Sequence, residues 1–163
     1  MKKFKIRPLN RSDFASVSLL ISDMKENIKN QDFFVKISDE ALEDYLVSGV
    51  FYGAFKHDEL IGVAGLELDE CPYMLRGEYK AIKWGELMHM VVRSDYRGRG
   101  VISQLCIPLI EKAKELGYGG VCASMHPANL SCVRAFAKLG DVLFIAFDNK
   151  NLNHPYIVYG VKI

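Results

Sequence analysis

The chain has 163 residues and a formal net charge of +1; half of its residues are hydrophobic and a quarter are charged. This balance is typical of a soluble globular protein, and the length is sufficient to bury a core without metal ions or disulfides. The near-neutral charge argues against a global field that would hold nucleic acid or an anionic membrane, so any anion has to be bound locally. We therefore expect one domain over residues 1–163, with no nucleic-acid or membrane partner.

Targeting, membrane and metal signals are also missing from the sequence. The charged N-terminus leads into no apolar run, so it does not resemble a signal peptide, and no stretch approaches the roughly 18 apolar residues of a membrane span. The cysteines have neither Cys-x-x-Cys pairing nor the spacing of a zinc site. We expect reduced thiols, no metal and a cytoplasmic location. The cysteines are Cys71, Cys106, Cys122 and Cys132.

The first half of the chain contains strand and helix patterns. A short strand is followed by a helix capped by Ser12 or Asp13, a polar loop over 27–38, and a second helix that begins at Asp39 and ends at Gly49. A hairpin over 50–68 then turns at His57-Asp58-Glu59. A mixed polar loop over 69–83 completes this half.

The second half begins with a strand over 84–93, which further helix and strand patterns follow. They are a helix over 100–116, a strand over 119–124, a helix over 129–139, and strands over 142–147 and 156–163. The apolar positions of the first of these helices define one face. This order predicts an α/β domain with a mixed sheet.

The strongest local signal is Tyr96-Arg97-Gly98-Arg99-Gly100, which lies between a strand and a helix. The backbone N–H groups at a helix start are unpaired and bind phosphate oxygens well, and guanidinium groups add charge-assisted hydrogen bonds. Glycines let the chain curl and let a phosphate approach the backbone. The alternatives are a basic turn that binds nothing and an Arg-Gly contact to nucleic acid. The ending of a Walker A loop is absent, and a dinucleotide fold places its glycines after the first strand.

These residues resemble the GCN5-related N-acetyltransferase (GNAT) family, whose pyrophosphate loop reads Gln/Arg-x-x-Gly-x-Gly/Ala. The segment from Asn129 to Gly140 resembles a second element of that family. The resemblance implies a mixed, mostly antiparallel twisted sheet with splayed central strands, flanked by about four helices. The chain departs from the family pattern at Ile102, where Gly or Ala is usual, at Phe136, where many members have tyrosine, and at Asp141, where phenylalanine is common.

The resemblance also implies where acetyl-CoA would bind. The pantetheine arm would lie between splayed strands, and the pyrophosphate would lie on the glycine-rich loop. Asn129 would hydrogen-bond the arm and Phe136 would pack against it; without a cofactor, Asn129 is a helix cap and Phe136 is core. The implied cofactor-binding residues are Met90, Val91, Val92, Arg97, Gly98, Arg99, Gly100, Val101, Asn129 and Phe136.

The implied reaction is direct attack of a neutral primary amine on the thioester carbon of acetyl-CoA. An alkylammonium with a pKa of about 10.4 has to lose a proton first, so a general base helps. Glu86 and His89 are the candidates, and we favour Glu86. Simple alternation places them on opposite faces of the strand, although a bulge near Met90 would change this. In place of the family's tyrosine, Cys132, His126 or a water could protonate the departing thiolate.

Three functional hypotheses follow from the sequence. The first is an acetyl-CoA-dependent N-acetyltransferase, and the second is an acyl-CoA-binding module without transferase activity. The third is an interaction domain of the same fold, and a homodimer is compatible with each. The amine acceptor is not identified; its pocket is expected to draw on aromatic and acidic residues, namely Phe33, Phe34, Asp69, Glu70, Tyr73, Tyr79 and Trp84.

Overall fold

The computed structural model describes residues 4–30, 33, 36–68, 77–139, 142–147 and 157–163. The elements follow the predicted order. They are β1 (Lys5–Pro8), α1 (Phe14–Asn27), α2 (Asp39–Ser48), β2 (Phe51–Lys56), β3 (Glu59–Glu67), β4 (Trp84–Val92), α3 (Val101–Glu115), β5 (Gly120–Met125), α4 (Leu130–Phe136), β6 (Val142–Phe147) and β7 (Ile157–Lys162). Short 3-10 helices cover Arg11–Asp13, Gly77–Ala81 and Ser94–Tyr96.

Local signals define the boundaries of α2 and of the hairpin that follows it. The Ser38 side chain accepts a hydrogen bond from the Ala41 N–H and caps the start of α2, as expected for a serine at this position. Gly49 ends the helix with φ +74°, a conformation that glycine adopts without a steric penalty. His57 and Asp58 both have positive φ, so a tight two-residue turn joins β2 to β3.

The described strands form a seven-stranded sheet in the order β1-β2-β3-β4-β5-β7-β6. Only the β4–β5 pair is parallel; the other pairs are antiparallel. The β4–β5 pairing begins at Trp84 opposite Gly120 and ends at Glu86 opposite Cys122. Beyond Glu86, β4 continues along β3, whereas β5 continues along β7. The predicted splay of the central strands is therefore confirmed, and it opens a gap in the middle of the sheet.

A bulge lies in β4 beside this gap. Val63 pairs with Val91 and Gly65 pairs with Met88. One residue of β3 between these pairs is thus opposite two residues of β4, His89 and Met90. A bulge re-aims side chains and is common beside functional sites.

The two faces of the sheet are covered by different helices. The face under α3 and α4 packs a core that includes Leu66, Leu87, Leu105 and Phe136. The opposite face packs a second core against α1 and α2, and Val17, Leu42, Leu46, Phe51, Val63 and Val91 belong to it. The gap between β4 and β5 therefore has a face toward α3 and α4 and another toward α1 and α2.

Candidate active site

The glycine-rich loop leaves the start of α3 open. Gly98 and Gly100 have φ of +72° and +79°, and the space where a Cβ would stand is free of other atoms within 4 Å at both positions. Gly100 is the N-cap of α3, and no side chain there hydrogen-bonds to the helix. The first N–H groups of a helix have no intrahelical partner. This uncapped terminus, with its partial positive charge, suits a phosphate oxygen.

The arginines of the loop are held by different contacts. Arg97 Nε donates a hydrogen bond to the Val92 carbonyl at 3.1 Å, which ties the loop to the end of β4. The Arg99 guanidinium lies 5.1 Å from the centroid of the Tyr96 ring. Both side chains belong to exposed residues, so their charges remain available to an anion.

A third arginine, Arg93, already forms ion pairs with carboxylates of the protein. Its guanidinium donates hydrogen bonds to Asp95 and Glu59, and these carboxylates raise its pKa. Arg93 also lies 4.7 Å from the centroid of the Tyr96 ring. We infer that Arg93 stiffens the loop, whereas Arg97 and Arg99 carry the charge available to a ligand.

The β4 residues predicted to contact the cofactor lie along the gap. Val91 is buried in the core toward α1 and α2, whereas Met90 and Val92 pack against the core toward α3. Any contact of these residues with a cofactor in the gap would therefore be made largely by backbone groups. The Val92 carbonyl already accepts a hydrogen bond from Arg97, which the sequence did not predict.

Asn129 and Phe136 lie at the two ends of α4, which follows β5. The Asn129 side chain accepts a hydrogen bond from the Cys132 N–H at 3.3 Å, so it is the helix cap that the sequence predicted. Phe136 is 1% exposed, and its ring is 6.0 Å from the Tyr159 ring in an edge-on arrangement. In the protein alone, both residues have structural roles.

Glu86 and His89 lie on the same face of the sheet, toward α2. The Ser124 hydroxyl on β5 donates to Glu86 Oε1 at 3.1 Å. The His89 ring is 5.2 Å from the Tyr45 ring on α2, and Met88 Sδ is 2.9 Å from the Tyr45 hydroxyl. The expectation of opposite faces from simple alternation is therefore wrong. His89 has φ +50°, and this bulge turns its side chain to the α2 side together with Met88.

The environment of His89 favours its neutral form. Burial lowers the pKa of His89 below its usual 6.5, and the negative charge of Glu67 opposes this effect in part. Desolvation penalises the charged imidazolium. His89 is thus uncharged at neutral pH and able to accept a proton.

Two residues that the sequence analysis did not single out, Tyr45 and Glu67, complete this face. The Tyr45 hydroxyl donates a hydrogen bond to Glu67 Oε2. Both side chains line an open cavity of about 320 Å³ between α2 and the end of β3. The signal available in the sequence was the position of Glu67 directly after a run of seven buried, uncharged residues in β3.

The structure does not bring the described residues expected for an acceptor pocket together in one place. The Phe33 ring is 5.1 Å from the ring of His126, at the end of β5. Trp84 is 2% exposed, and its indole N–H donates to the Tyr79 carbonyl, so Trp84 supports the structure and does not line the cavity. Four others lie outside the described residues: Phe34, Asp69, Glu70 and Tyr73.

The cysteines in the described segments carry free thiols. Cys106 and Cys122 are buried and Cys132 is partly buried. Burial raises the pKa of the Cys132 thiol to about 11, so it stays protonated at neutral pH and is unreactive as a nucleophile.

The described segments contain no group of three or more His, Cys, Asp or Glu residues that could hold a metal ion. No helix within them is long and apolar enough to cross a bilayer.

β4 thus carries Glu86 and His89 beside the splay of the sheet, and it leads into the loop before the uncapped start of α3. The chain belongs to the acetyltransferase (GNAT) family, whose model matches residues 17–141. Acetyl transfer from acetyl-CoA is the general activity that this membership supports. No curated protein sequence matches the chain.

Solved structures of acetyltransferases share the fold over nearly the whole chain. A probable acetyltransferase from Staphylococcus epidermidis ATCC 12228 has a TM-score of 0.71 and 19% identity, with 98% of each chain covered. A GNAT-family acetyltransferase from Streptococcus pneumoniae has a TM-score of 0.71 and 18% identity, with 99% of each covered. N-acetylglutamate synthase from Neisseria gonorrhoeae, complexed with coenzyme A and N-acetyl-glutamate, has a TM-score of 0.70 and 18% identity; the match covers 99% of this chain and 35% of that one.

Proposed function

We propose that the protein is an N-acetyltransferase that moves the acetyl group of acetyl-CoA to a primary amine of a small molecule or peptide. The observation that carries the proposal is the β4–β5 gap. It begins at Glu86, contains the bulge at His89, and is bordered by a strand that leads into the loop at the uncapped start of α3. Family membership and the fold shared with a coenzyme A complex support the same activity.

The cofactor would bind from the loop toward the bulge. The pyrophosphate is proposed to accept hydrogen bonds from the backbone of 97–101, with Arg97 and Arg99 supplying charge. The pantetheine arm would run along the backbone of 90–92. On the opposite side, Asn129 would hydrogen-bond the arm and Phe136 would pack against it. This arrangement would bring the thioester to the part of the gap where Glu86 and His89 lie.

The reaction needs one proton acceptor and a leaving group. We propose that Glu86, held by the Ser124 hydroxyl, attracts the acceptor ammonium, and that His89 takes one of its protons. A base with a pKa near the working pH is the most effective, and burial keeps His89 neutral. The amine nitrogen then forms a bond to the thioester carbon, and the C–S bond breaks with its electron pair left on sulfur. The second proton of the attacking nitrogen passes through water to that sulfur, and His89 returns its proton to solvent.

The leaving group is coenzyme A thiolate, which ends the reaction as the free thiol. A thiol with a pKa of about 8.5 is a tolerable leaving group without an acid. Since Phe136 has no hydroxyl, the thiolate is proposed to take its proton from water. General-acid assistance typically contributes about 10²–10⁴ in rate, so its absence slows the reaction without preventing it.

Thermal shifts with acetyl-CoA and coenzyme A test the cofactor site through a matched pair of variants. Gly100 and Gly117 lie at opposite ends of α3, and both have φ +79° and open space at the Cβ position. Gly100→Glu and Gly117→Glu therefore place a side chain on backbone with the same φ. A ligand at a hundred times its Kd stabilises by about 2.7 kcal/mol. We expect the shift in the native chain and in Gly117→Glu, and its loss in Gly100→Glu. No shift in the native chain at millimolar acetyl-CoA would exclude the proposed cofactor.

Transfer itself is tested by release of free thiol from acetyl-CoA across a panel of amines. We expect at least one amine to support release that Glu86→Gln and His89→Gln each reduce strongly. The replacement of the family's tyrosine by Phe136 favours a second function, an acyl-CoA-binding module without transferase activity. That function predicts a normal thermal shift with no amine-dependent thiol release.

A further inference from the structure

Tyr45 connects three groups on the α2 side of the gap. Its hydroxyl donates to Glu67 Oε2 on β3 and lies 2.9 Å from Met88 Sδ on β4. Its ring meets the His89 ring edge-on, with 5.2 Å between centroids and an interplanar angle of 70°. One side chain of α2 therefore contacts Met88 and His89 at the start of the β4 bulge, and Glu67 on the neighbouring strand.

The charge of Glu67 is unfavourable at its position in the sheet. It is directly opposite Glu86 in the antiparallel β3–β4 pair, and like charges in that relationship are destabilising. None of the ion pairs among the described residues includes Glu67. Its described hydrogen bond is the one from Tyr45, which fixes the carboxylate on the side of the sheet where His89 lies.

We propose that Tyr45 and Glu67 form a positioning pair for His89, in which the Tyr45 ring covers the imidazole and the hydroxyl holds the Glu67 carboxylate near it. The inference rests on the proposed acetyl transfer and adds two residues to it. The pair sets the orientation of the imidazole and the pH range in which it accepts the proton of the acceptor amine. A carboxylate near a histidine stabilises the protonated form, so it makes His89 a stronger base than burial alone would allow.

The titratable groups on the elements of this side of the sheet come from four elements. On α2 they are Tyr45 and the exposed Asp44, which lines the same cavity; on β3 the group is Glu67. On β4 it is Glu86, and on β5 it is the buried thiol of Cys122, which is paired with Glu86. The buried residues of α1, Val17, Leu20 and Met24, are apolar. Glu67 is the group whose charge acts on the imidazole.

The test is an NMR titration of the His89 ring in the full-length protein, with the signal assigned by its loss in His89→Gln. Glu67→Gln removes the charge and keeps the shape, so we expect the pKa of His89 to fall further below its usual value. Tyr45→Phe keeps the ring and frees the Glu67 carboxylate, so we expect a smaller fall in the pKa of His89. Asp44→Asn removes an exposed charge from the same cavity and should leave the pKa of His89 unchanged.

Kinetics provide the second measurement. The acidic limb of kcat/KM should move to lower pH in Glu67→Gln by the same amount as the NMR pKa, while the thermal shift with coenzyme A is retained. An unchanged His89 pKa in Glu67→Gln, or an equal change in Asp44→Asn, would overturn the inference. If the native protein acetylates no amine, the proposed function fails, and the titration still decides whether the pair controls His89.

Discussion

Glu67 on β3 and Glu86 on β4 are direct partners across two neighbouring antiparallel strands. Residues in that relationship share a face of the sheet. The Tyr45 hydroxyl donates a hydrogen bond to Glu67, and the Ser124 hydroxyl donates one to Glu86. Negative charges on directly opposite residues repel each other. An ammonium group of the proposed acceptor would relieve that repulsion.

Removing one of the two charges should therefore raise the stability of the protein and lower its activity. In Glu86→Gln, the amide keeps an oxygen for the Ser124 hydroxyl, and the repulsion with Glu67 is lost. We expect the free energy of unfolding to rise by up to about 1 kcal/mol, while kcat/KM for the amine falls. Chemical denaturation and thiol release measure the two effects. A variant that is both fully active and less stable would contradict this interpretation of the pair.

His89 should make stability depend on pH. Its pKa in the folded protein is below the usual 6.5, so the unfolded chain binds more protons as the pH falls through 6.5. Stability is therefore full above this value, and it decreases as the pH falls from 6.5 toward the folded pKa. Urea denaturation from pH 5 to 8 should show this decrease in the native chain and a smaller one in His89→Gln. Equal slopes in the two proteins would contradict the proposed burial effect.

The base of the gap depends on a glycine that faces a tryptophan. Gly120 is opposite Trp84 at the start of the β4–β5 pairing, and a Cβ on Gly120 would stand 2.4 Å from Trp84 Cζ3. We expect Gly120→Ala to destabilise the protein by about 1–3 kcal/mol or more because the indole has to move. The neighbouring Gly119→Ala is the control, since its Cβ would meet the Ile82 side chain at 3.0 Å. In thermal unfolding, the Tm of Gly119→Ala should lie closer to that of the native chain than the Tm of Gly120→Ala does.

Phe136 offers a test of how α4 contributes to turnover. Because Phe136 is 1% exposed, a tyrosine hydroxyl at this position would be buried, at a cost of about 1–3 kcal/mol if it finds no partner. We expect Phe136→Tyr to lower the stability of the free protein and to leave the rate of thiol release unchanged or raised. Phe136→Leu controls for packing. A large loss of rate in Phe136→Tyr alone would show that the aromatic residue does not face the leaving group.

The local elements and the glycine-rich loop before α3 followed from the sequence. Periodicity and turn residues predicted the order of helices and strands, because Ser38, Gly49 and the His57-Asp58 turn act through contacts close in the chain. The spacing of Arg97, Gly98 and Gly100 before a helix predicted an anion site for the same reason. The position of Asn129 as the cap of α4 was also readable from its neighbours.

The arrangement of the polar face that carries Glu86 and His89 was decided only by the tertiary structure. Alternation places Glu86 and His89 on opposite faces, and the bulge that brings them together arises from the pairing of β4 with β3. Tyr45 and Glu67 are 22 residues apart, and their hydrogen bond depends on the packing of α2 over the end of β3. A local pattern carries no information about such distant contacts, because they form when separate elements are folded against one another.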